Sequence, residues 1–198
     1  MPIEINLPNY EKTKKQLHAI NKDAEGVVKR TVSDFKSRAP AWVSAAVTET
    51  YGIAKSEVKG AFSGAKKTAG RVKLKGTTID NIGLVYSGRV LTPLRFKMKP
   101  TAPPARRPMP PYQITAEIYK GKRKGLASNA FLGSNKGGGF IPFQRTSESR
   151  LPIKSIKTVS VPQMLGNETV STQIQQNIED GLEKRLEHHL AQALKRQG

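Results

Sequence analysis

The feature that most narrows how this chain can fold is a row of seven apolar side chains near its C-terminus. Val170, Ile174, Ile178, Leu182, Leu186, Leu190 and Leu194 each stand four residues after the one before. No strand repeats with that period, whereas a helix returns to nearly the same side after about 3.6 residues. The row predicts a helix over 168–196, with Asn167 as its cap and Glu168 in its first turn. Four residues advance about 400°, so the row drifts by about 40° per step and winds some 240° over its length. A straight helix lying on one flat surface buries a single stripe. The expectation is therefore that the two ends of this helix meet different partners. One end packs on its own domain and the other on a second subunit, with Leu182, Leu186, Leu190 and Leu194 as the candidate interface. The competing reading is a helix bent or broken at Gly181.

The N-terminal part is also helical in pattern. Tyr10, Leu17, Ile20, Ala24, Val27, Val28, Thr31 and Phe35 recur at helical spacings over 10–37, and Asn9 can cap the start. Pro40 disfavours helical backbone at Ala39, which predicts a break or kink there. The pattern resumes over 41–52, and a short helical piece is expected over 55–62.

After Gly70 the period falls to two: Arg71, Lys73 and Lys75 alternate with Val72 and Leu74. Further strands are expected over 79–90, 112–119, 130–132, 140–144 and 156–161. Residues 97–111 carry six prolines, which excludes a central strand and predicts an extended surface loop. Residues 120–125 read as a basic hairpin tip and 133–139 as a flexible glycine-rich turn. The fold expected is α+β: a long N-terminal helix, a central antiparallel β-sheet with extended loops, and a long C-terminal helix. It forms one domain over 1–198, helical over 1–62, β-rich and basic over 70–161, and helical again over 167–196.

Charge is what sets the middle segment apart. The net charge is +19, and residues 61–160 hold twenty Lys/Arg against three Asp/Glu. So dense a field needs screening by salt, nucleic acid or an acidic protein surface. The candidate contacts are Lys66, Lys67, Arg71, Lys73, Lys75, Arg106, Arg107, Lys122, Arg123 and Lys124. Aromatic residues to stack on bases are sparse there and no nucleic-acid recognition motif appears, so any DNA contact is expected at the backbone. Acidic neighbours in an assembly, or plain solvation, remain the other reading.

Signals for chemistry are weak. With no cysteine there is no thiolate nucleophile and no sulfur-based metal site. His188 and His189 are adjacent on a helix and point about 100° apart, whereas paired ligands need spacings of three or four; solvated histidines, and no metal, are expected. Asp80, Glu117 and Glu148 are the only carboxylates in residues 61–160 and suggest no general acid–base pair; Glu117 is expected to neutralise a neighbouring Lys or Arg. The glycine-rich turn lacks the Gly-Lys-Ser/Thr ending of a phosphate loop and is followed by a strand pattern. No enzyme activity and no cofactor are expected. No apolar run approaches the ~20 residues of a membrane helix. The start, MPIEINLPNYEK, lacks the order of a signal peptide. A soluble protein without membrane partners is expected.

Phe140-Ile-Pro-Phe-Gln-Arg-Thr, then Arg150-Leu-Pro-Ile-Lys-Ser-Ile, then Ser160-Val-Pro-Gln-Met-Leu165 resemble the minor tail protein Z family of tailed bacteriophages. The layout before them is similar: a long helix with Asn21 and Arg30, Tyr51-Gly-Ile53, and an Ala130-Phe131 pair. The resemblance implies a structural virion protein that completes the head-proximal end of the tail, helps join it to the head, and acts as copies in a ring. The implied partners are other tail and neck proteins and further copies of the chain. The implied location is the virion tail, assembled in the host cytoplasm. The alternative is a free-standing, non-specific nucleic-acid-binding protein.

Overall fold

The computed structural model describes residues 3–4, 24–63, 70–76, 81–88, 90–106, 112–135 and 138–196. The expected helical stretch over 10–23 lies outside them. In chain order the elements are β1 (Ile3–Glu4), α1 (Ala24–Thr50), α2 (Lys55–Ser63), β2 (Gly70–Lys75), β3 (Gly83–Gly88), β4 (Thr115–Tyr119), β5 (Lys122–Gly125), β6 (Ala130–Ser134), β7 (Phe140–Arg145), β8 (Ile153–Ser155), α3 (Val161–Leu165) and α4 (Glu168–Lys195). The architecture is the mixed α+β one expected.

α1 and α4 form the principal helix pair. Val27, Phe35, Val43 and Val47 of α1 share one core with Val170, Ile174, Ile178, Leu182, Leu186 and Leu190 of α4. α2, the β1–β3 sheet and α3 add Val58, Leu84, Met164 and Leu165. α1 runs through Pro40 without a break, so of the break or kink expected there the break does not occur. The balance of energies accounts for this. Phe35, Val43 and Val47 are fully buried, and such side chains contribute about 1.5–3 kcal/mol each. An interior proline costs about 3 kcal/mol.

The winding row is likewise met within the chain. Its residues are buried from Val170 through Leu190; Ala193 then takes over, and Leu194 is left 54% exposed. α1, α3 and β1 all touch α4, so elements of one chain cover the row as it turns. Leu182, Leu186 and Leu190 thus belong to the chain's own core, which corrects their expected placement at a subunit interface; Leu194 alone of the four faces outward. Gly181 does not break the helix either. A Cβ there would lie 2.4 Å from an atom of the Trp42 ring, so the missing side chain lets the indole of α1 rest on the α4 backbone. Asn177 Nδ2 donates to the Trp42 carbonyl across the same contact at 3.4 Å.

In place of one central sheet the strands form three small antiparallel sheets, ordered β1-β3-β2, β4-β5 and β6-β7-β8. The strand expected over 156–161 is corrected. β8 ends at Ser155, and Val161 opens α3 under a complete capping box: Ser160 Oγ accepts from the Gln163 amide while Gln163 Oε1 accepts from the Ser160 amide. The proline-rich loop also begins later than expected. Lys99 and Thr115 exchange two main-chain hydrogen bonds of 2.8 Å, and the Glu117 amide donates to the Phe96 carbonyl. Phe96 and Met98 are buried by this pairing while Lys97 and Lys99 point outward, and unbroken exposure runs from Thr101 to Arg106. Met98 joins Ile114, Ala116 and Leu132 in a second, smaller core; Ile118 packs against both cores.

Candidate docking surface

Two basic faces rise from this framework. On β2 the alternation sends Val72 into the core and leaves Arg71, Lys73 and Lys75 exposed on the opposite face. Their partners across the ladder are Ser87, Val85 and Gly83, so no carboxylate faces them from β3. Lys73 also lines an open groove of 580 Å³ with Lys36 and Pro40 of α1 and Lys59 and Phe62 of α2. Lys36 and Lys59 carry no signal in the sequence for this role, because only the packing of three elements brings them beside Lys73.

The second face is the β4–β5 hairpin. Its tip is Lys120-Gly121, where Gly121 adopts φ 73, and the basic run that follows is a strand in its own right, exposed at all four residues. Glu117 on β4 organises one side. Its carboxylate accepts from Lys97 Nζ at 2.9 Å and from the Gly121 amide at 3.2 Å, and Arg123 Nη2 lies 3.8 Å away. The Lys97 hydrogen bond and the Gly121 amide hold the Glu117 carboxyl below its ordinary range, with Arg123 adding attraction. Arg123 is further held by the Lys97 carbonyl at 3.0 Å. Glu117 therefore does neutralise neighbouring cations, and Lys97 is a member of the cluster that sequence reasoning did not single out.

The other side of the hairpin is a groove of 420 Å³ lined by Ala116, Ile118, Tyr119, Leu126, Lys122 and Lys124. Tyr119 is 47% exposed and stacks on Tyr51, ring centroids 5.3 Å apart. Burial, followed by the neighbouring Tyr119, raises the pKa of the Tyr51 hydroxyl. The hairpin is anchored to the end of α1: the Lys120 amide donates to the Thr50 carbonyl and the Gly52 amide to the Ile118 carbonyl.

Of the remaining candidates, Arg106 is exposed, while Lys66, Lys67 and Arg107 lie outside the described residues. Of the helix histidines, His188 is exposed as expected and His189 is tied to a carboxylate. His189 Nε2 lies 3.1 Å from Asp34 Oδ2, which Arg185 approaches at 3.4 Å, joining α4 to α1; His188 contacts Gln192. His18 lies outside the described residues. Among the described residues, no group of three or more His, Cys, Asp or Glu side chains is placed to hold a metal ion, and no helix is long and apolar enough to cross a membrane. The glycine-rich turn closes the β6–β7 hairpin through the Asn135 amide to the Gly139 carbonyl at 2.8 Å.

Fold and surface together define an α+β protein with a helical core and outward-facing basic strands. A family model for prophage minor tail protein Z (GPZ) matches residues 6–197. The chain belongs to that family: it is a phage minor tail protein, a structural component of the tail. No match was found among curated proteins or among solved structures.

Proposed function

We propose that this chain completes the head-proximal end of the tail, stands there as copies in a ring, and is needed for the tail to join the head. It acts by docking and carries out no reaction. The observation that carries the reading is the family match over 6–197. The two basic faces support it, since a component at a DNA conduit flanked by acidic assembly proteins has use for uncovered cations. Its partners in this reading are other tail and neck proteins and further copies of itself, assembled in the host cytoplasm. Leu194, exposed at the end of α4, remains available to a neighbouring copy.

Deleting the gene from a phage and imaging the lysate tests this. The expected result is filled heads and unjoined tails, with joining restored when the protein is supplied. Infectious joined particles without the protein would end the proposal, and a single copy per particle by mass measurement would end the ring. The Arg71, Lys73 and Lys75 row keeps the second reading in play, contact with the DNA backbone. Tight, steeply salt-dependent DNA binding by the isolated monomer would favour it.

A further inference from the structure

We propose that the outer edge of β5 accepts an added strand: an extended acidic segment of a neighbouring tail protein pairs with Lys122–Gly125 through main-chain hydrogen bonds. The proposal rests on the docking role above and names the partner's chemistry.

Four observations carry it. First, β5 is the edge of a two-stranded sheet and pairs only with β4 among the described strands. The Leu126 amide donates to Ile114, and Lys124 pairs with Ala116. The alternation of antiparallel pairing then turns the main-chain N–H and C=O groups of Arg123 and Gly125 away from β4. Second, all four residues of β5 are exposed, and the group closest over Gly125 is the exposed side chain of Gln113. Third, the charge is one-sided. Glu117 is the acidic group at the hairpin, and it is already engaged by Lys97 and Arg123. Among the described residues no ion pair engages Lys122 or Lys124. Fourth, the adjoining groove, walled by Tyr119 and Leu126, leaves room for an apolar side chain flanking the paired segment.

These facts select the occupant. A second copy is disfavoured because each chain carries +19. Among the described residues, this chain's own acids sit mostly on helices, and the strand residue Glu4 is already paired to β3. Lysines on an edge strand keep neutral and basic strands away. The same lysines draw in an acidic strand, and main-chain pairing then supplies affinity that charge alone does not.

The test uses the full chain and a capped peptide alternating Glu and Val, with a Lys–Val peptide and a short DNA duplex as rivals. Binding is followed by salt titration and by amide hydrogen exchange. The expected result is that only the Glu–Val peptide slows exchange at Arg123 and Gly125, and that the Lys122→Glu/Lys124→Glu variant weakens it by about tenfold or more. Lys73→Glu/Lys75→Glu, an equal charge change on the other face, leaves that binding within about twofold. Peptide binding without protection of those two amides, equal loss in both double variants, or protection by DNA in place of peptide overturns the proposal. The wild-type exchange result decides alone should a variant misfold. Wild-type protein present in tails alongside a failed peptide experiment sinks the strand pairing only, whereas its absence from tails sinks the docking role itself.

Discussion

The α1–α4 pair and the β4–β5 hairpin are built on opposite terms. The helices bury long rows of apolar side chains in one core and meet their neighbours through few polar ties. The hairpin leans on a core of four buried residues and on Glu117, which gathers Lys97, Arg123 and the Gly121 amide. Apolar burial supplies stability in proportion to area and says little about partners. Exposed charge supplies little stability and decides what can approach. The comparison therefore separates substitutions that unfold the chain from those that change its contacts.

The widest gap is expected between the two regions themselves. Phe35→Ala, at a fully buried site, should lower the unfolding free energy by about 3–5 kcal/mol. Lys122→Ala, on the exposed strand, should change it by less than about 0.5 kcal/mol. Urea unfolding followed through Trp42, the single tryptophan, reads both. Similar losses at the two sites would erase the distinction. Next comes Gly181→Ala, where the Trp42 ring must move. Overpacking of that kind costs about 1–3 kcal/mol, whereas helix propensity alone would favour Ala by about 1 kcal/mol. A stabilised variant would show that the helices do not meet there. Ser160→Ala removes a capping-box acceptor and should cost about 0.5–2 kcal/mol, with an unchanged melting curve counting against α3 as part of the core.

The smallest effect belongs to Glu117. The Lys97 hydrogen bond and the Gly121 amide hold its carboxyl below the ordinary glutamate range in the folded state. A carboxyl depressed on folding stabilises the folded state above its unfolded pKa, and that contribution fades as pH falls through the folded value. Wild type should therefore lose hairpin order, read by exchange at the Gly121 amide, as the medium is acidified below about 4.5. Glu117→Gln should show the looser hairpin already at neutral pH, with no acid transition of its own. A Glu117 carboxyl titrating at or above 4.5 by NMR would dissolve the cluster.

How legible each region was follows from the same contrast. The α4 row, the Asn167 cap and the alternation on β2 rest on local period, and the sequence carries them directly. Ser160-Val-Pro-Gln163 was equally local but hid behind β-branched neighbours: its serine and its glutamine three residues later spell a capping box, which outweighs the strand pattern. Pro40 misled because a burial term from residues far away in sequence outweighs a local one. The splitting into three sheets, the pairing of Lys99 with Thr115, and the meeting of Lys73 with Lys36 and Lys59 depend on long-range contacts that no window along the chain contains. Candidate cations could be named by composition; which of them face the same groove could not.

Gly52 sets how the charged hairpin is mounted. A Cβ at that position would lie 2.0 Å from the Glu117 carbonyl oxygen, so the end of α1 and the back of β4 touch main chain to main chain. Such a joint has little slack. The Gly52–Ile118 and Lys120–Thr50 main-chain hydrogen bonds close the joint on either side. Gly52 thus sets the orientation of the basic hairpin against the helical core, and a larger residue at 52 would tilt the charged strand before it loosened the helix.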